Sequence, residues 1–220
     1  MPQIPPYEVL SNFRHNSALY VALMSELKER IQVGQGAIIN AYPLPRAVSV
    51  ELCFLQLRKI CELIALACLA AHGDLAKPTW IEKHWNADKI LNGLDQLDRR
   101  CYPQAQRQVV DPATKTLLEF VDQPEPFLAK RELISVYYRC NDFLHKGKLD
   151  DYRRSLNPRY EIYEVLDIFG RMKKLLGTHK IMTSDPGWFW MCTLNYPPDD
   201  TVYLALFCNI GEYDPILPNS

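Results

Sequence analysis

The sequence predicts a mainly α fold, namely an up-and-down bundle of about five helices with a small C-terminal β-hairpin appendage. Apolar residues recur at helical spacing in successive stretches between residues 7 and 176. Beyond residue 181 this spacing gives way to short runs rich in aromatic and β-branched residues, which favour strands. We therefore expect a helical bundle over residues 1–180 and a β-hairpin tail over residues 181–220, packed on the bundle or on a partner chain.

The first helix is predicted from about Tyr7 to Val33, where apolar residues lie three or four positions apart. Gly34 and Gly36 are expected to end it. The Gly-Gln-Gly segment is not followed by a lysine at the spacing of a phosphate-binding loop, so we interpret it as a turn.

The second helix is predicted from about Arg46 to His72, and its latter half is apolar on nearly every side. A helix of this kind lies at the centre of a bundle. Glu51, Arg58 and Glu62 nevertheless share one stripe of this helix, and a buried charge requires a partner. Arg58 and Glu62 either pair with each other or face the polar side of the fourth helix.

A third helix is predicted from about Trp85 to Arg100, and a fifth from about Tyr160 to Leu176, where the next glycine ends it. The preceding segment 73–83 is expected to be a loop. Residues 104–126 contain several turn-forming residues and one short apolar run. A strand and a short helix fit that segment equally well.

The predicted hairpin consists of Gly187–Asn195 and Thr201–Cys208, joined by a loop that contains Pro-Pro-Asp-Asp. Ile181–Thr183 is a candidate third strand. The aromatic side chains of the tail either pack in a core or interface or offer surfaces on which bases stack. Packing is the favoured interpretation.

Composition favours a reduced, cytoplasmic protein. The formal net charge of −1 argues against a protein that coats nucleic acid through bulk charge. The N-terminus lacks the layout of a secretory signal, and the apolar run Leu63–Ala71 is too short to cross a bilayer. Seven cysteines without a Cys-x-x-Cys pair indicate reduced thiols, with Cys61 and Cys68 expected in the core. Motifs for metals, nucleotides and acyl transfer are missing from the sequence, so we expect neither a metal nor a cofactor.

The fourth predicted helix, Lys130–Lys148, concentrates reactive side chains on one face. A helical wheel places an apolar arc on one side, made of Leu133, Val136, Tyr137, Cys140, Phe143 and Leu144. The opposite arc contains Tyr138, Arg139, Asn141, Asp142, His145 and Lys146. Such an arc is either a solvated face or a site that binds and acts on a phosphodiester.

Arg139 is followed after five residues by His145, near the end of a late bundle helix and with polar residues between them. Together with the predicted bundle and the charged second helix, this arrangement resembles the R-x4–6-H motif of HEPN-domain proteins. The resemblance covers roughly residues 7–176 and leaves the β tail outside it. That family often has Asn, Asp or His directly after the arginine, whereas this chain has Cys140.

The resemblance implies metal-independent RNA cleavage, of the kind found in bacterial defence or toxin–antitoxin systems. Arg139 would bind the scissile phosphate, and His145 would exchange protons with the ribose 2′-hydroxyl or the leaving oxygen. The candidate catalytic residues are Arg139, Asn141, Asp142 and His145. The candidate substrate-binding residues are Tyr138, Lys146, Lys148, Arg58 and Glu62, of which Glu62 could instead orient Arg139 or His145.

Arg139 and His145 lie about 120° apart on a straight helix, too far around it to hold one atom together. A single-chain site would therefore need the helix to unwind before His145, and a second copy of the chain could instead complete the site. We expect a homodimer, with RNA and an antitoxin or other protein as candidate partners. Two non-catalytic alternatives are a HEPN-like module that binds RNA, a nucleotide or a protein, and a structural helical domain whose polar arc is a dimer seam.

Overall fold

The structure is a computed structural model that describes residues 4–39, 41–73, 86–114, 116–145 and 162–208. Within these ranges the chain forms five helices and one five-stranded antiparallel sheet. The elements in chain order are α1 (Tyr7–Ile38), α2 (Arg46–Ala71), α3 (Ala87–Leu97), β1 (Gln104–Val110), β2 (Leu117–Asp122), α4 (Lys130–Leu144), α5 (Ile162–Leu176), β3 (Thr178–Met182), β4 (Trp188–Tyr196) and β5 (Thr201–Cys208).

The predicted fold class is wrong, because the chain has an α+β fold rather than a helical bundle with a small hairpin. The predicted hairpin exists as β4 and β5, but the sheet has the strand order β2-β1-β3-β4-β5. Its first two strands come from the segment that the sequence pattern left unassigned. The residue pairs that join β1 to β3 are Gln104 with Lys180 and Ala105 with His179, partners far apart in the sequence. No local spacing reports such a pairing.

The two longest helices, α1 and α2, pack against each other, and α1 does not end where the glycines predicted. It continues through Gly34 and Gly36 to Ile38. A Cβ added to Gly34 would lie 2.2 Å from Cζ of Phe169 on α5. This glycine therefore permits close packing of two helices. The prediction of a turn is wrong, because the sequence does not distinguish a glycine required for packing from one that ends a helix.

Helix α2 is central, as its apolar pattern predicted. It contacts α1, α3 and α4, and Cys61 and Cys68 are fully buried in the core. The predictions for the other helices are correct in type, with ends that differ by a few residues. Gly177 follows α5 as predicted, and its N–H donates to the Lys173 carbonyl at 2.8 Å. The loop predicted over 73–83 falls almost entirely outside the described residues, and the predicted domain boundary at 180/181 falls inside β3.

The helices cover one face of the sheet, where Trp190 of β4 is fully buried. Its indole meets Phe13 and Tyr20 of α1 edge to face, with ring centroids 5.4 and 5.5 Å apart. Tyr20 also reaches the next strand, since its hydroxyl lies 2.7 Å from Nε2 of His179. The aromatic side chains on this face thus join the helices to the sheet.

The β1–β2 hairpin curls over the opposite face of the sheet. The Gln108 side-chain amide donates to the hydroxyls of Thr178 on β3 and Thr193 on β4, at 3.2 and 3.0 Å. Phe120 of β2 packs edge to face on Phe207 of β5, at 6.1 Å between centroids. These contacts bring the two outer strands of the sheet together, so aromatic residues of the tail pack against protein, which is the favoured prediction. In the described ranges, no helix is both long enough and apolar enough to cross a membrane.

Candidate functional site at the end of α4

Helix α4 carries the predicted site, and its start and end are well defined. At its N-terminus the Ala129 N–H donates to the Glu132 carboxylate at 2.9 Å, which satisfies a backbone donor that the helix leaves without a partner. Leu133, Val136, Tyr137 and Cys140 are buried, which confirms these members of the predicted apolar arc. Burial raises the pKa of the Cys140 thiol to about 12, so this thiol is not a nucleophile.

At its C-terminus α4 ends at Leu144, and His145 has extended backbone angles of φ −81° and ψ 128°. The His145 N–H still donates to the Asn141 carbonyl at 3.2 Å, which is the helical hydrogen bond, and its side chain is exposed. The backbone therefore leaves the helix after His145 and not before it, so one chain does not show the unwinding that a single-chain site would require.

Arg139 lies on the side of α4 that faces α5. Its guanidinium nitrogens lie 3.3 and 3.5 Å from the two carboxylate oxygens of Glu164. The guanidinium also lies over the ring of Phe54, with Cζ 5.9 Å from the centroid, and Phe54 stacks on Phe143. The Arg139 side chain is 45% exposed, so a ligand can still reach it.

The Arg139–Glu164 ion pair is one of two that join α4 to α5. Glu132 and Arg171 form the other, and that contact lowers the pKa of the Glu132 carboxyl through a hydrogen bond from Arg171. On each helix the acid precedes the arginine by seven residues, so the charges match in an antiparallel arrangement. Partly exposed pairs of this kind contribute little stability each, about 0–1 kcal/mol.

Asn141 and Asp142 lie between Arg139 and His145. Asp142 is exposed and Asn141 is half-buried. The side-chain oxygen Oδ1 of Asn141 is buried and has no hydrogen-bond partner among the described residues. A buried amide oxygen without a partner is costly, which makes Asn141 a candidate to bind a donor from a ligand or a second chain.

Tyr138 faces a different helix from Arg139. Its hydroxyl donates to the Asp88 carboxylate on α3 at 2.7 Å, and this hydrogen bond raises the pKa of Tyr138. Adjacent residues of α4 thus contact α3 and α5 respectively.

Arg58 and Glu62 pair with each other on α2, the first of the two predicted alternatives. Glu62 accepts from Arg58 Nε at 3.3 Å and from Lys59 Nζ at 2.9 Å. The Arg58 guanidinium lies over the ring of Tyr137, 5.9 Å from its centroid. The structure brings Arg58 and Glu62 to α4, but against Tyr137 rather than Arg139. Lys146 and Lys148 lie outside the described residues.

Sequence reasoning missed three partners of the site, namely Glu164, Asp88 and Phe54. A signal existed for Glu164, because the pattern of an acid and an arginine seven residues apart occurs on both α4 and α5. Asp88 and Phe54 carried no signal beyond helical placement. Among the described residues, no group of three or more His, Cys, Asp or Glu side chains could hold a metal ion.

Comparison with known proteins gives no relative, since no protein-family model, no curated protein and no solved structure matches the chain.

Proposed function

We propose that the chain is a HEPN-like, metal-independent endoribonuclease, with Arg139 binding phosphate and His145 acting as general acid or base at a cleft between two copies. The observation that carries this proposal is the end of α4. At the end of α4, His145 is the last described residue whose N–H makes a helical hydrogen bond, and its exposed imidazole is open to RNA and to a second copy that completes the site. Asn141 and Asp142 lie between Arg139 and His145 and add an amide and a carboxylate.

The reaction would be an internal transfer within RNA. The ribose 2′-oxygen forms a bond to the adjacent phosphorus, and the bond from phosphorus to the 5′-oxygen breaks. The 2′-hydroxyl proton passes to a neutral imidazole, and the leaving 5′-oxygen takes a proton from a protonated one. The products are a 2′,3′-cyclic phosphate and a 5′-hydroxyl, so proton and charge balance without a metal or a redox partner.

Arg139 would bind the non-bridging phosphate oxygens, because a guanidinium makes two parallel hydrogen bonds to such groups. Without substrate, the Glu164 carboxylate forms an ion pair with this guanidinium. Substrate phosphate would compete with that carboxylate, and the two copies would supply the two imidazoles that the reaction requires. We place this activity in the cytoplasm, in a defence or toxin–antitoxin setting with an antitoxin or other protein as partner.

The Arg139–Glu164 ion pair also favours a second candidate, a non-catalytic HEPN-like module that binds RNA, a nucleotide or a protein. In that function Arg139 ties α4 to α5, and the end of α4 serves as a contact surface. The two candidates differ in whether His145 affects any chemical step.

The deciding experiment incubates purified protein with mixed cellular RNA in EDTA and identifies the ends of any fragments. We expect cyclic phosphate ends and at least a 100-fold loss of rate in Arg139→Ala and in His145→Ala. Arg131→Ala is the matched control, since Arg131 is an exposed arginine of the same helix, away from its C-terminal end. Equal cleavage by all variants would assign the activity elsewhere, and no cleavage by a folded protein would leave the binding module.

A further inference from the structure

Helix α2 presents a regular stripe on its outer side. Between residues 48 and 69, the side chains that are not buried recur at alternating intervals of four and three residues. We call this set the α2 stripe, and its members are Val48, Leu52, Leu55, Lys59, Glu62, Leu66 and Leu69. In this range of α2, Glu51 and Arg58 alone lie outside the stripe without being buried. This interval is that of a helix seam that packs against another helix.

Five of the seven members of the α2 stripe are apolar, and α1, α3 and α4 cover the other sides of the helix. Val48, Leu55 and Leu66 are 43, 41 and 36% exposed. The stripe is about 32 Å long, measured as helix rise, and its exposed apolar side chains on either side of Lys59 and Glu62 form a surface that water disfavours. Such surfaces mark sites of association.

Between Leu52 and Leu69, the spacing of the α2 stripe is symmetric about the midpoint between Lys59 and Glu62. Leu52 and Leu69 are equally far from this midpoint, and so are Leu55 and Leu66. If a second copy lies antiparallel with this midpoint at the two-fold axis, Leu52 meets Leu69 of the other copy. Leu55 likewise meets Leu66 of the other copy. A two-fold dimer uses the same patch on both copies, so this self-matching pattern is what such an interface requires.

The charges in the α2 stripe suit the same arrangement. Lys59 and Glu62 carry opposite charges at its centre, and within one chain Nζ of Lys59 lies 2.9 Å from the Glu62 carboxylate. In the antiparallel arrangement each Lys59 also lies opposite Glu62 of the other copy. A parallel arrangement would place Glu62 beside Glu62, which is repulsive.

The shape of the surface matches as well. At the C-terminal end of the α2 stripe, a groove of about 270 Å³ is lined chiefly by Leu19, Leu23, Leu66 and Leu69. At the other end, Val48 is exposed. The antiparallel arrangement places Val48 of each copy over the groove of the other, so an exposed apolar side chain meets a largely apolar recess at both ends.

We propose that the α2 stripe is the surface through which two copies of this chain associate, antiparallel and with the midpoint between Lys59 and Glu62 at the two-fold axis. This interface is separate from the cleft of the proposed function, because the ends of α4 pack against Phe54 and therefore fall on opposite sides of the axis. Its tests measure mass and cross-linking rather than cleavage, so the two proposals can fail separately.

The first test is the mass of the full chain in solution by light scattering. We expect twice the chain mass of 25.5 kDa, and a single-chain mass for Leu55→Arg with at least tenfold weaker association. Leu97→Arg is the matched control, because Leu97 at the end of α3 is 47% exposed and lies off the α2 stripe. Circular dichroism checks that all three proteins fold. The proposal would be overturned if the wild-type protein had the mass of a single chain. It would also be overturned if Leu55→Arg formed a dimer of undiminished affinity.

The second test fixes the register by cysteine cross-linking on a Cys208→Ser background, since the other six cysteines are buried. Leu52→Cys mixed with Leu69→Cys should yield the mixed dimer under oxidation, because the register places these two thiols together. Leu52→Cys alone should not cross-link to itself, because its two copies lie at opposite ends of the interface. Self-linking of Leu52→Cys, or no link in the mixture, would contradict the antiparallel register.

Discussion

Acid should weaken this protein in a narrow pH window because of one buried histidine. His179 is fully buried between α1 and the sheet. Its Nδ1 lies 3.0 Å from the Leu176 carbonyl and therefore donates to it, which leaves Nε2 to accept the Tyr20 hydroxyl proton at 2.7 Å. Both ring nitrogens are thus satisfied in the neutral imidazole, and burial lowers the pKa of His179 to about 4.

The sign of the effect follows from where protons bind. At pH values above 6.5, the ordinary pKa of histidine, the ring is neutral in both the folded and the unfolded chain, so His179 does not lower the free energy of unfolding. As the pH falls below 6.5, the unfolded chain takes up a proton that the folded chain excludes, so stability declines until the folded pKa near 4 is reached. At about 1.4 kcal/mol per pKa unit, the full loss is about 3 kcal/mol. Between pH 7 and pH 5 the loss is about 2 kcal/mol.

Urea unfolding at pH 7 and pH 5 measures this loss, with His179→Gln as the comparison because glutamine does not titrate. The variant should begin less stable and should lose about 2 kcal/mol less than wild type between the two pH values, since His72, also fully buried, is present in both proteins. Carboxyl groups such as Glu132, whose pKa lies below the ordinary value of 4.5, contribute little to the change in stability between pH 7 and pH 5. His15→Gln, at an exposed site, should behave as wild type. The reasoning fails if wild type and His179→Gln lose equal free energy of unfolding.

Two further predictions concern helix packing. Gly34→Ala should destabilise the fold by about 1–3 kcal/mol, because its methyl group meets the ring of Phe169. Gly170→Ala, which has open space at its Cβ, should instead stabilise the fold by up to about 1 kcal/mol. Thermal unfolding compares the two variants, and equal losses of stability would contradict the packing role of Gly34. Reversing charge in Arg139→Glu should cost about 1 kcal/mol or less, and adding Glu164→Arg should restore it. The double variant should remain unable to cleave RNA, and recovery of cleavage with stability would assign Arg139 a structural role only.

The position and buried face of each helix could be predicted, because both depend on residues that are close together in the sequence. Helix α2 is apolar nearly all round and is central, and α4 buries Leu133, Val136 and Cys140 as its wheel requires. The aromatic and β-branched residues of β4 and β5, on either side of a Pro-Pro-Asp-Asp loop, likewise identified the hairpin. The same local signal misled at Gly34, where a glycine serves packing against another helix.

The candidate site was only partly predictable. The polar residues from Tyr138 to His145 could be placed on one helix, but their hydrogen-bond partners on other helices could not be predicted. Tyr138 binds Asp88, while its neighbour Arg139 binds Glu164 on another helix. The end of α4 at Leu144 could not be located either, because the sequence pattern predicted a helix as far as Lys148.

The sequence alone determined which stretches are helical, which faces they bury and where the reactive side chains concentrate. Tertiary structure alone decided that β1 and β2 join the tail strands in one sheet, and that Arg139 and Tyr138 face different helices. The physical reason is the range of the interactions. A helical hydrogen bond joins residues four apart, so its requirements repeat along the chain, whereas the pairing of Ala105 with His179 depends on residues brought together only after the core has formed.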